Sequence, residues 1–220
     1  MRRPGLGAVV LAAGAGRRLG RPKAALHLRG RWMLPRIVAA LRRGGAVEVV
    51  LVLSAAAREA IAGLGPTGAD REVLNPTPES GRTGSLLLGL AELPEELPGL
   101  LVHPCDVPLL TAAAVAEVVR AWNRCPDRAQ RLARPVTPGG RGGHPLLVGA
   151  AGLPRLRSFP PDRPLRALLD EDRRRVLDVP LAGDPGPFLD VDTPEQLALL
   201  EDLLARPPGI EADPQRPGRD

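Results

Sequence analysis

Short apolar runs, separated by segments of helical length, are the feature that most limits how this chain can fold. The run "VEVVLVL" (47–53) is apolar at nearly every position, which is typical of a strand buried on both faces of a sheet. Further candidate strands occur at 8–11, 72–75 and 99–104, and a helical pattern follows each of them. Strands that alternate with helices in this way predict an α/β fold, in which helices cover both faces of a mostly parallel sheet.

The full pattern indicates one domain. A length of 220 residues also favours one domain, because it is long enough for one substantial core and short for two. The predicted strands cover 8–11, 47–53, 72–75, 99–104, 131–136, 144–149 and 176–179. The predicted helices cover 33–43, 56–64, 83–93, 112–122, 154–157 and 165–170, and a last helix starts at Pro194. Ser54, Thr111 and Thr193 are predicted helix N-caps, and Gln196 completes a capping box with Thr193. We expect residues 1–205 to form the domain and residues 206–220, which lack apolar periodicity, to form a disordered tail.

The net charge of +5 and the isoelectric point near 10.6 fit either a nucleic acid or a small anionic ligand. The arginines are spread along the chain with acidic residues between them. Two Trp, two Phe and no Tyr provide no stacking platform for bases. We therefore expect a small anionic ligand and no nucleic-acid partner.

Cysteine usage and hydropathy indicate the compartment. Cys105 and Cys125 form neither a disulfide framework nor a metal cluster of known spacing. The first apolar run follows two arginines, as in a signal peptide, but it is short and further arginines come at once, so we interpret it as a buried strand. No apolar run approaches the roughly 18 residues that a membrane helix needs. We expect a cytoplasmic protein with reduced cysteines and no membrane partner.

A glycine-rich, basic turn follows the first predicted strand. Gly14 and Gly16 allow backbone N–H groups to approach a phosphate chain at the carboxyl end of that strand. Arg17, Arg18 and Lys23 concentrate positive charge there, and Lys23 is the only lysine among the 30 lysine and arginine residues of the chain. The turn fits either a phosphate-binding loop or a basic surface loop.

Five segments together resemble one known family. The stretch "LAAGAGRRLGRPK" (11–23) resembles the L-A-A-G-x-G/S-x-R-M/L-G-x-P-K signature of the MobA-like nucleotidyltransferases. The other segments agree with motifs of the molybdopterin cytidylyltransferase branch in order and spacing: "NPTPESGRTGSLLLGL" (75–90), "HPCDVPLL" (103–110), "GGRGGHPLL" (139–147) and "LDVDTPEQL" (189–197). The resemblance covers about 8–204. It implies the Rossmann-like three-layer fold of the nucleotide-diphospho-sugar transferases.

The resemblance also implies the roles of the residues in the glycine-rich turn. Such enzymes transfer a nucleoside monophosphate from an NTP to a phosphorylated acceptor and release pyrophosphate. Arg18 and Lys23 are then the catalytic residues that neutralise the phosphates. A lysine ammonium is a compact charge that fits between crowded phosphate oxygens, whereas the planar guanidinium prefers an open bidentate geometry, which explains why one lysine is kept. The implied nucleotide-binding residues are Leu11, Ala12, Ala13, Gly14, Gly16, Asn75, Gly84 and Ser85.

The remaining implied site residues concern the metal and the acceptor. Mg²⁺ prefers carboxylate and phosphate oxygens, and Asp106 and Asp190 are the candidate ligands. Capping of the following turn is the alternative role for Asp106, and Asp192 is expected to stabilise the N-terminus of the last helix. Arg82 and His144 are expected to face the acceptor.

Two further histidines, His27 and His103, are expected to be structural. The segment "GRTGSL" (81–86) departs from the family's G-M-S-S-S-L, and this departure leaves the acceptor open.

The resulting hypothesis is Mg²⁺-dependent transfer of CMP from CTP to molybdopterin. Within the enzyme class, a sugar phosphate or another phosphorylated metabolite is the alternative acceptor. A non-catalytic protein that binds a nucleotide or cofactor is the alternative from another class. A molybdoenzyme or its chaperone is a possible partner of either.

Overall fold

The computed structural model describes residues 5–205, with a seven-stranded sheet at its centre. The strands are β1 (Leu6–Ala12), β2 (His27–Leu28), β3 (Arg31–Trp32), β4 (Ala46–Leu53), β5 (Arg71–Leu74), β6 (Gly99–Pro104), β7 (Leu132–Val136), β8 (Leu146–Gly149) and β9 (Val176–Pro180). The helices are α1 (Met33–Gly44), α2 (Ala55–Ile61), α3 (Arg82–Ala91), α4 (Ala112–Asn123), α5 (Leu153–Arg157), α6 (Ala167–Glu171) and α7 (Pro194–Ala205). The predicted tail lies outside the described residues.

The sheet has the order β5-β4-β1-β6-β8-β7-β9, and only β8 runs against the other strands. The α/β prediction is therefore confirmed. β1 lies in the middle of the parallel part, between β4 and β6. The glycine-rich turn after β1 and the segment after β6 consequently leave the sheet side by side at the same edge.

Every predicted strand and helix is present, with bounds that differ by at most a few residues. The sequence reading missed the two-stranded antiparallel hairpin β2–β3. Its turn places Arg29 at φ 49° and Gly30 at φ 72°. Positive φ at both central positions is the geometry of the hairpin turns that match the twist of short paired strands. An Arg-Gly pair is a weaker sign of such a turn than Asn-Gly, and strands of two residues carry no periodic pattern.

Alternate residues of the central strands pack into two separate apolar layers. Val10 of β1 and Leu51 of β4 lie in a layer with α1 and α4. Their neighbours Val9 and Val50 lie in the layer on the other face, with α3 and α5. Burial on both faces explains why these strands are continuous apolar runs. It also holds the carboxyl ends of β1 and β6 at a fixed separation.

The predicted helix caps are confirmed. The Ser54 hydroxyl accepts a hydrogen bond from the Ala57 amide, and the Thr111 hydroxyl accepts one from the Ala114 amide. At the start of α7, the Gln196 amide donates to Thr193 Oγ1, and Gln196 Oε1 accepts from the Thr193 amide, which is the reciprocal capping box. Within residues 5–205, no helix has the length and apolar character needed to cross a membrane.

His103 is a buried residue of β6, and its structural role is confirmed. Its Nε2 lies 2.9 Å from the Val107 carbonyl oxygen, so Nε2 carries the proton and donates it. Burial, helped by the nearby ring of His144, lowers the pKa of His103 to about 3. The imidazole is therefore neutral in the folded protein near neutral pH.

Replacement of Gly89 tests the contact between α3 and the sheet. A β-carbon at this position would lie 2.6 Å from Val9 Cγ1 and 2.8 Å from Val52 Cγ2. An Ala in a helix normally gains about 1 kcal/mol over Gly, but overpacking costs about 1–3 kcal/mol. We expect Gly89→Ala to lower the free energy of unfolding by about 1 kcal/mol in urea titrations. Gly139→Ala, whose β-carbon meets only Thr137 Oγ1 at 3.9 Å, is the control and should change stability little.

The pH dependence of stability tests the buried histidine. The unfolded chain binds a proton at His103 near pH 6.5, whereas the folded protein does so only near pH 3, so stability present above pH 6.5 is lost as the pH falls. We expect acidification from pH 7 to pH 5 to cost the wild type about 2 kcal/mol more than His103→Gln, which keeps an N–H donor. Urea titrations at the two pH values measure the difference. An equal loss in both proteins would contradict the assignment.

Candidate active site

The turn after β1 folds back on itself because of one glycine. Gly16 has φ 60°, and a β-carbon there would overlap the Arg21 carbonyl oxygen. Only glycine fits this close approach. The turn continues through one 3₁₀ turn at Arg17–Leu19 and another at Lys23–Ala25, so Lys23 returns to the edge of the sheet.

Lys23 lies between two carboxylates from distant parts of the chain. Its Nζ donates to Asp106 Oδ2 at 3.0 Å and also to Asp192 Oδ1. Asp106 follows β6, and Asp192 precedes α7. The side chains of Lys23 and Asp106 are only 13% and 9% exposed, so this ion pair is largely shielded from water. The two carboxylates converge on one cation at the carboxyl edge of the sheet.

Two arginines complete the charged cluster. Arg18 donates to Asp192 Oδ2 at 2.8 Å, and Arg82, at the start of α3, donates to Asp106 Oδ2 at 2.9 Å. Both arginine side chains are more than half exposed. Each carboxylate therefore accepts hydrogen bonds from the buried lysine and from one arginine on the solvent side. We call Arg18, Lys23, Arg82, Asp106 and Asp192 the charged cluster.

The mutual contacts shift the pKa values of this cluster. Burial by itself lowers the pKa of Lys23, but the hydrogen bonds and attraction of Asp192 and Asp106 outweigh it, and the pKa is raised. The hydrogen bond from Lys23, with a further contribution from Arg18, lowers the pKa of Asp192. Lys23 is therefore a stable cation and Asp192 a stable anion near neutral pH.

A backbone hydrogen bond explains why Asp192 reaches the cluster. The Val191 amide donates to the Asp106 carbonyl oxygen at 2.8 Å, and this bond ties the chain before α7 to the end of β6. The Asp192 side chain pairs with Lys23 and Arg18, whereas Thr193 and Gln196 form the N-terminal cap of α7. This differs from the expectation that Asp192 serves mainly the helix.

Asp190, the predicted metal ligand, is exposed. Burial lowers the pKa of the His144 ring, and the charge of Asp190 offsets only a small part of that effect. The structure does not bring Asp190 into the charged cluster. Asp106, the other predicted metal ligand, is in the cluster, and its carboxylate pairs with Lys23 and Arg82.

Two adjacent cavities open at this edge of the sheet. The small cavity, about 160 Å³, is lined by Ala13 and Gly14 of the turn, together with Lys23, Ser85 and Asp106. The large cavity, about 510 Å³, lies beside it. Leu11, Gly81, Arg82 and Pro104 line both cavities. Of the charged cluster, Arg82 lines both cavities, whereas Lys23 and Asp106 line the small one.

The structure separates the predicted nucleotide-binding residues into two groups. Leu11, Ala13, Gly14 and Ser85 line the small cavity. The other four do not line either cavity: Ala12, Gly16, Asn75 and Gly84.

The predicted nucleotide-binding residues that line neither cavity have other surroundings. Ala12 is fully buried. Asn75 is buried and donates from Nδ2 to Ser85 Oγ at 2.9 Å, so it positions the serine. The Gly84 amide, which was expected to face the nucleotide, donates to the Pro161 carbonyl oxygen at 3.0 Å.

The large cavity joins apolar and basic surfaces. His144 and Arg82, the two residues predicted to face the acceptor, both line it. Burial is the main reason why the pKa of His144 falls to about 4, so the ring is neutral near neutral pH. Its Nδ1 is buried and has no hydrogen-bond partner among residues 5–205. Sequence reasoning missed Arg163 and Arg166, which also line this cavity, because the segment "PPDRPLR" (160–166) has no periodic pattern.

The cluster fits a divalent cation only in part. No group of three or more His, Cys, Asp or Glu side chains within the described residues could hold a metal ion. Two carboxylates do converge, however, and a protein typically binds Mg²⁺ through one or two carboxylates while phosphate and water oxygens complete the shell. Asp106 and Asp192 fit this arrangement, with a bound triphosphate as the source of the further oxygens.

Comparison with known proteins gives matches over most of the chain. Residues 8–176 match the model of the MobA-like NTP transferase domain. Nicotine blue oxidoreductase of Paenarthrobacter nicotinovorans is 34% identical over 199 residues, which cover 87% of this chain and 94% of that protein. The bifunctional IPC transferase and DIPP synthase of Rubrobacter xylanophilus is 32% identical over 240 residues and 92% of this chain. The match spans 52% of the length of that bifunctional relative.

Solved structures share the fold. Rv0371c from Mycobacterium tuberculosis H37Rv superposes with a TM-score of 0.74 at 25% identity, over 90% of this chain and 98% of that one. A second structure of Rv0371c, a complex with manganese, gives a TM-score of 0.70 at 24% identity over the same shares of the two chains. The family model spans the chain from β1 to the first residue of β9, and two relatives exceed 30% identity over most of its length. This chain therefore belongs to the MobA-like NTP transferase family.

Proposed function

We propose that this protein transfers a nucleoside monophosphate from an NTP to a phosphorylated acceptor, with release of pyrophosphate. One observation carries the proposal: a largely shielded lysine binds two carboxylates, and this lysine and Asp106 line a small cavity that shares Arg82 with the large one. The small cavity, with Ala13 and Gly14 in its wall, suits the phosphate chain of the nucleotide. The large cavity suits the acceptor. The reacting phosphates would then meet beside Lys23.

The reaction requires little proton chemistry. An oxygen of the acceptor phosphate forms a bond to the α-phosphorus, and the bond from that phosphorus to the bridging oxygen of the leaving pyrophosphate breaks. The attacking oxygen is already anionic at neutral pH, so a strong general base is unnecessary. Bringing two anions together is the main barrier, and fixed positive charge lowers it. Lys23 supplies that charge from a shielded position, and Arg18 supplies it from the solvent side.

Asp106 and Asp192 would hold a divalent cation, with Mg²⁺ as the favoured ion. Such an ion supplies charge neutralisation and fixes the orientation of the triphosphate. The manganese complex of Rv0371c, a protein with the same fold, supports a divalent-cation site. Asp190 remains the alternative second ligand from the sequence motif. The convergence of Asp192 with Asp106 at the same ammonium favours Asp192.

For the substrates, we propose CTP as donor and molybdopterin as acceptor. The "LAAG" form of the first motif (11–14) supports the cytidylyl branch, by resemblance. Arg82 stands where the family's G-M-S-S-S-L has methionine, and it lines both cavities, so a different phosphorylated acceptor is the alternative. If molybdopterin is the acceptor, a molybdoenzyme or its chaperone would receive the product.

A second candidate function follows from one relative. Nicotine blue oxidoreductase matches this chain over 94% of its own length. An oxidoreductase of this fold would use the glycine-rich turn for the phosphates of a dinucleotide such as NAD(P)H. The two functions differ in their products. Pyrophosphate release identifies the transferase, and loss of NADH or NADPH absorbance in the presence of a reducible dye identifies the oxidoreductase.

The nucleotide experiment tests the transferase proposal and the lone lysine together. We expect CTP with Mg²⁺ to raise the melting temperature by about 5–10 °C, because ligand at a hundred times its Kd adds about 2.7 kcal/mol. GTP, ATP and UTP should give smaller shifts. In Lys23→Arg the shift should largely disappear, because the guanidinium is too broad for the space between Asp106 and Asp192. Pyrophosphate release is measured in parallel.

The matched control exchanges the same two residue types elsewhere. Arg36→Lys, on the exposed face of α1, should keep the wild-type shift. No shift with any nucleotide in the wild type would contradict the proposal. A full shift in Lys23→Arg would contradict the account of the lysine.

Separate substitutions of two aspartates test the assignment of the second carboxylate. Asp192→Asn removes the charge that pairs with Lys23 and Arg18, and we expect pyrophosphate release to fall by about 10²–10³-fold. Asp190→Asn should reduce it much less. Titration of Mn²⁺ in the presence of nucleotide, followed by proton relaxation enhancement, measures metal binding in each variant. The opposite ranking of the two variants would restore Asp190 as the ligand.

A further inference from the structure

We propose that the acceptor carries a second anionic group besides its reacting phosphate, and that Arg166 binds this second group in the large cavity. The inference rests on the proposed function, since it names a property of the acceptor for the same site. It is carried by the charges and walls of the large cavity.

The cavity can accommodate more than a phosphate. Its volume of about 510 Å³ lies within the roughly 300–1,000 Å³ typical of sites for small organic molecules. Leu146, Leu165 and Leu169 give it an apolar wall. A compact, partly apolar body therefore fits between the basic side chains.

Four arginines line the cavity, and three of them already hold a carboxylate. Arg82 pairs with Asp106 at 2.9 Å, Arg134 pairs with Asp178 at 2.7 Å, and Arg163 pairs with Glu171 at 2.7 Å. These three bonds leave Arg166 as the remaining arginine of the four.

Arg166 has no such partner within the part of the chain that the structure describes. Asp162 is the one carboxylate among the side chains that line the cavity, so the lining as a whole is basic. An anionic group of the ligand would supply the counterion that Arg166 lacks.

The wall that carries Arg166 is anchored rather than loose. The Gly84 amide donates to the Pro161 carbonyl oxygen at 3.0 Å, and Thr83 Oγ1 donates to the Arg163 carbonyl oxygen. The Arg163 guanidinium also lies 4.5 Å from the centre of the Phe159 ring. The first two contacts fix Pro161 and Arg163 against the first turn of α3. The backbone that leads to Arg166, an exposed residue, is therefore held beside the cavity.

Arg82 and Arg166 differ in which cavities they line. Arg82 lines both cavities and belongs to the charged cluster, so the reacting phosphate of the acceptor fits beside it. Arg166 lines only the large cavity. An acceptor that reaches both arginines has one anionic group at the reaction centre and another away from it.

Two matched compounds test this inference by isothermal titration calorimetry without nucleotide. Phenyl phosphate has an apolar body and one phosphate, and 4-carboxyphenyl phosphate adds only a carboxylate. We expect the second compound to bind the wild type at least about threefold more tightly, the gain of a partly exposed ion pair. In Arg166→Gln this ratio should fall to about one. In Arg82→Met both compounds should bind more weakly and the ratio should persist.

A control variant and the possible outcomes separate failure of this inference from failure of the proposed function. Arg36→Gln, which removes an exposed arginine outside both cavities, should keep the wild-type ratio. Equal affinities in the wild type, an unchanged ratio in Arg166→Gln, or no binding of either compound at millimolar concentration would overturn the inference. If CTP still stabilises the protein in that case, the proposed function stands. Discrimination between the compounds without any nucleotide binding would overturn the proposed function alone.

Discussion

The ammonium of Lys23, held between Asp106 and Asp192, is the interaction on which the candidate site depends. Two carboxylates this close and this shielded repel each other, and each loses hydration when it is buried. The shared cation offsets both effects. Loss of one partner from a buried ion pair commonly costs about 3–5 kcal/mol, because the remaining charge is left uncompensated. Lys23 therefore has a structural role in the unliganded protein as well as a proposed role toward phosphate.

The α/β framework makes this convergence possible. β1 and β6 are neighbours in the sheet, and the Cys105 amide donates to the Leu11 carbonyl oxygen at 3.0 Å just beyond their last paired residues. The Val191 amide then binds the Asp106 carbonyl oxygen. Buried apolar layers on both faces keep the strand ends in place. The charged side chains meet because backbone hydrogen bonds of the framework bring three remote segments to one edge.

The sequence allowed most of the fold to be predicted, since the elements are long and their patterns agree with each other. The run 99–104 became β6 with the predicted bounds, because it is apolar and bounded by turn residues. The hairpin β2–β3 lacked such a signal. In the site, Lys23 and Asp106 were identified by motif and by their positions after strands. Whether Asp190 or Asp192 reaches Lys23 depends on the path of the irregular segment before α7. Neither hydrophobic periodicity nor the spacing of motif residues predicts that path.

The large cavity was beyond sequence reasoning for a related reason. Arg163 and Arg166 come to it through bonds from Thr83 and Gly84, which lie about 80 residues earlier in the chain, to backbone carbonyl groups of the segment 160–166. Every residue has a backbone carbonyl group, so the sequence does not indicate which carbonyl groups accept these hydrogen bonds. The position of the cavity follows from tertiary hydrogen bonds alone.

The choice of lysine at one position is the last step of this argument. Elsewhere the chain uses arginine for its ion pairs, as in the half-exposed pair of Arg155 with Glu171, where the broad fork has room to bind a carboxylate. At Lys23, two carboxylates approach from different directions, and under the proposed function the adjoining cavity of about 160 Å³ must still admit a phosphate chain. A tetrahedral ammonium can donate in three directions at once, whereas a guanidinium directs its donors within one plane. The geometry of the acceptors therefore selects lysine where charge alone would have allowed arginine.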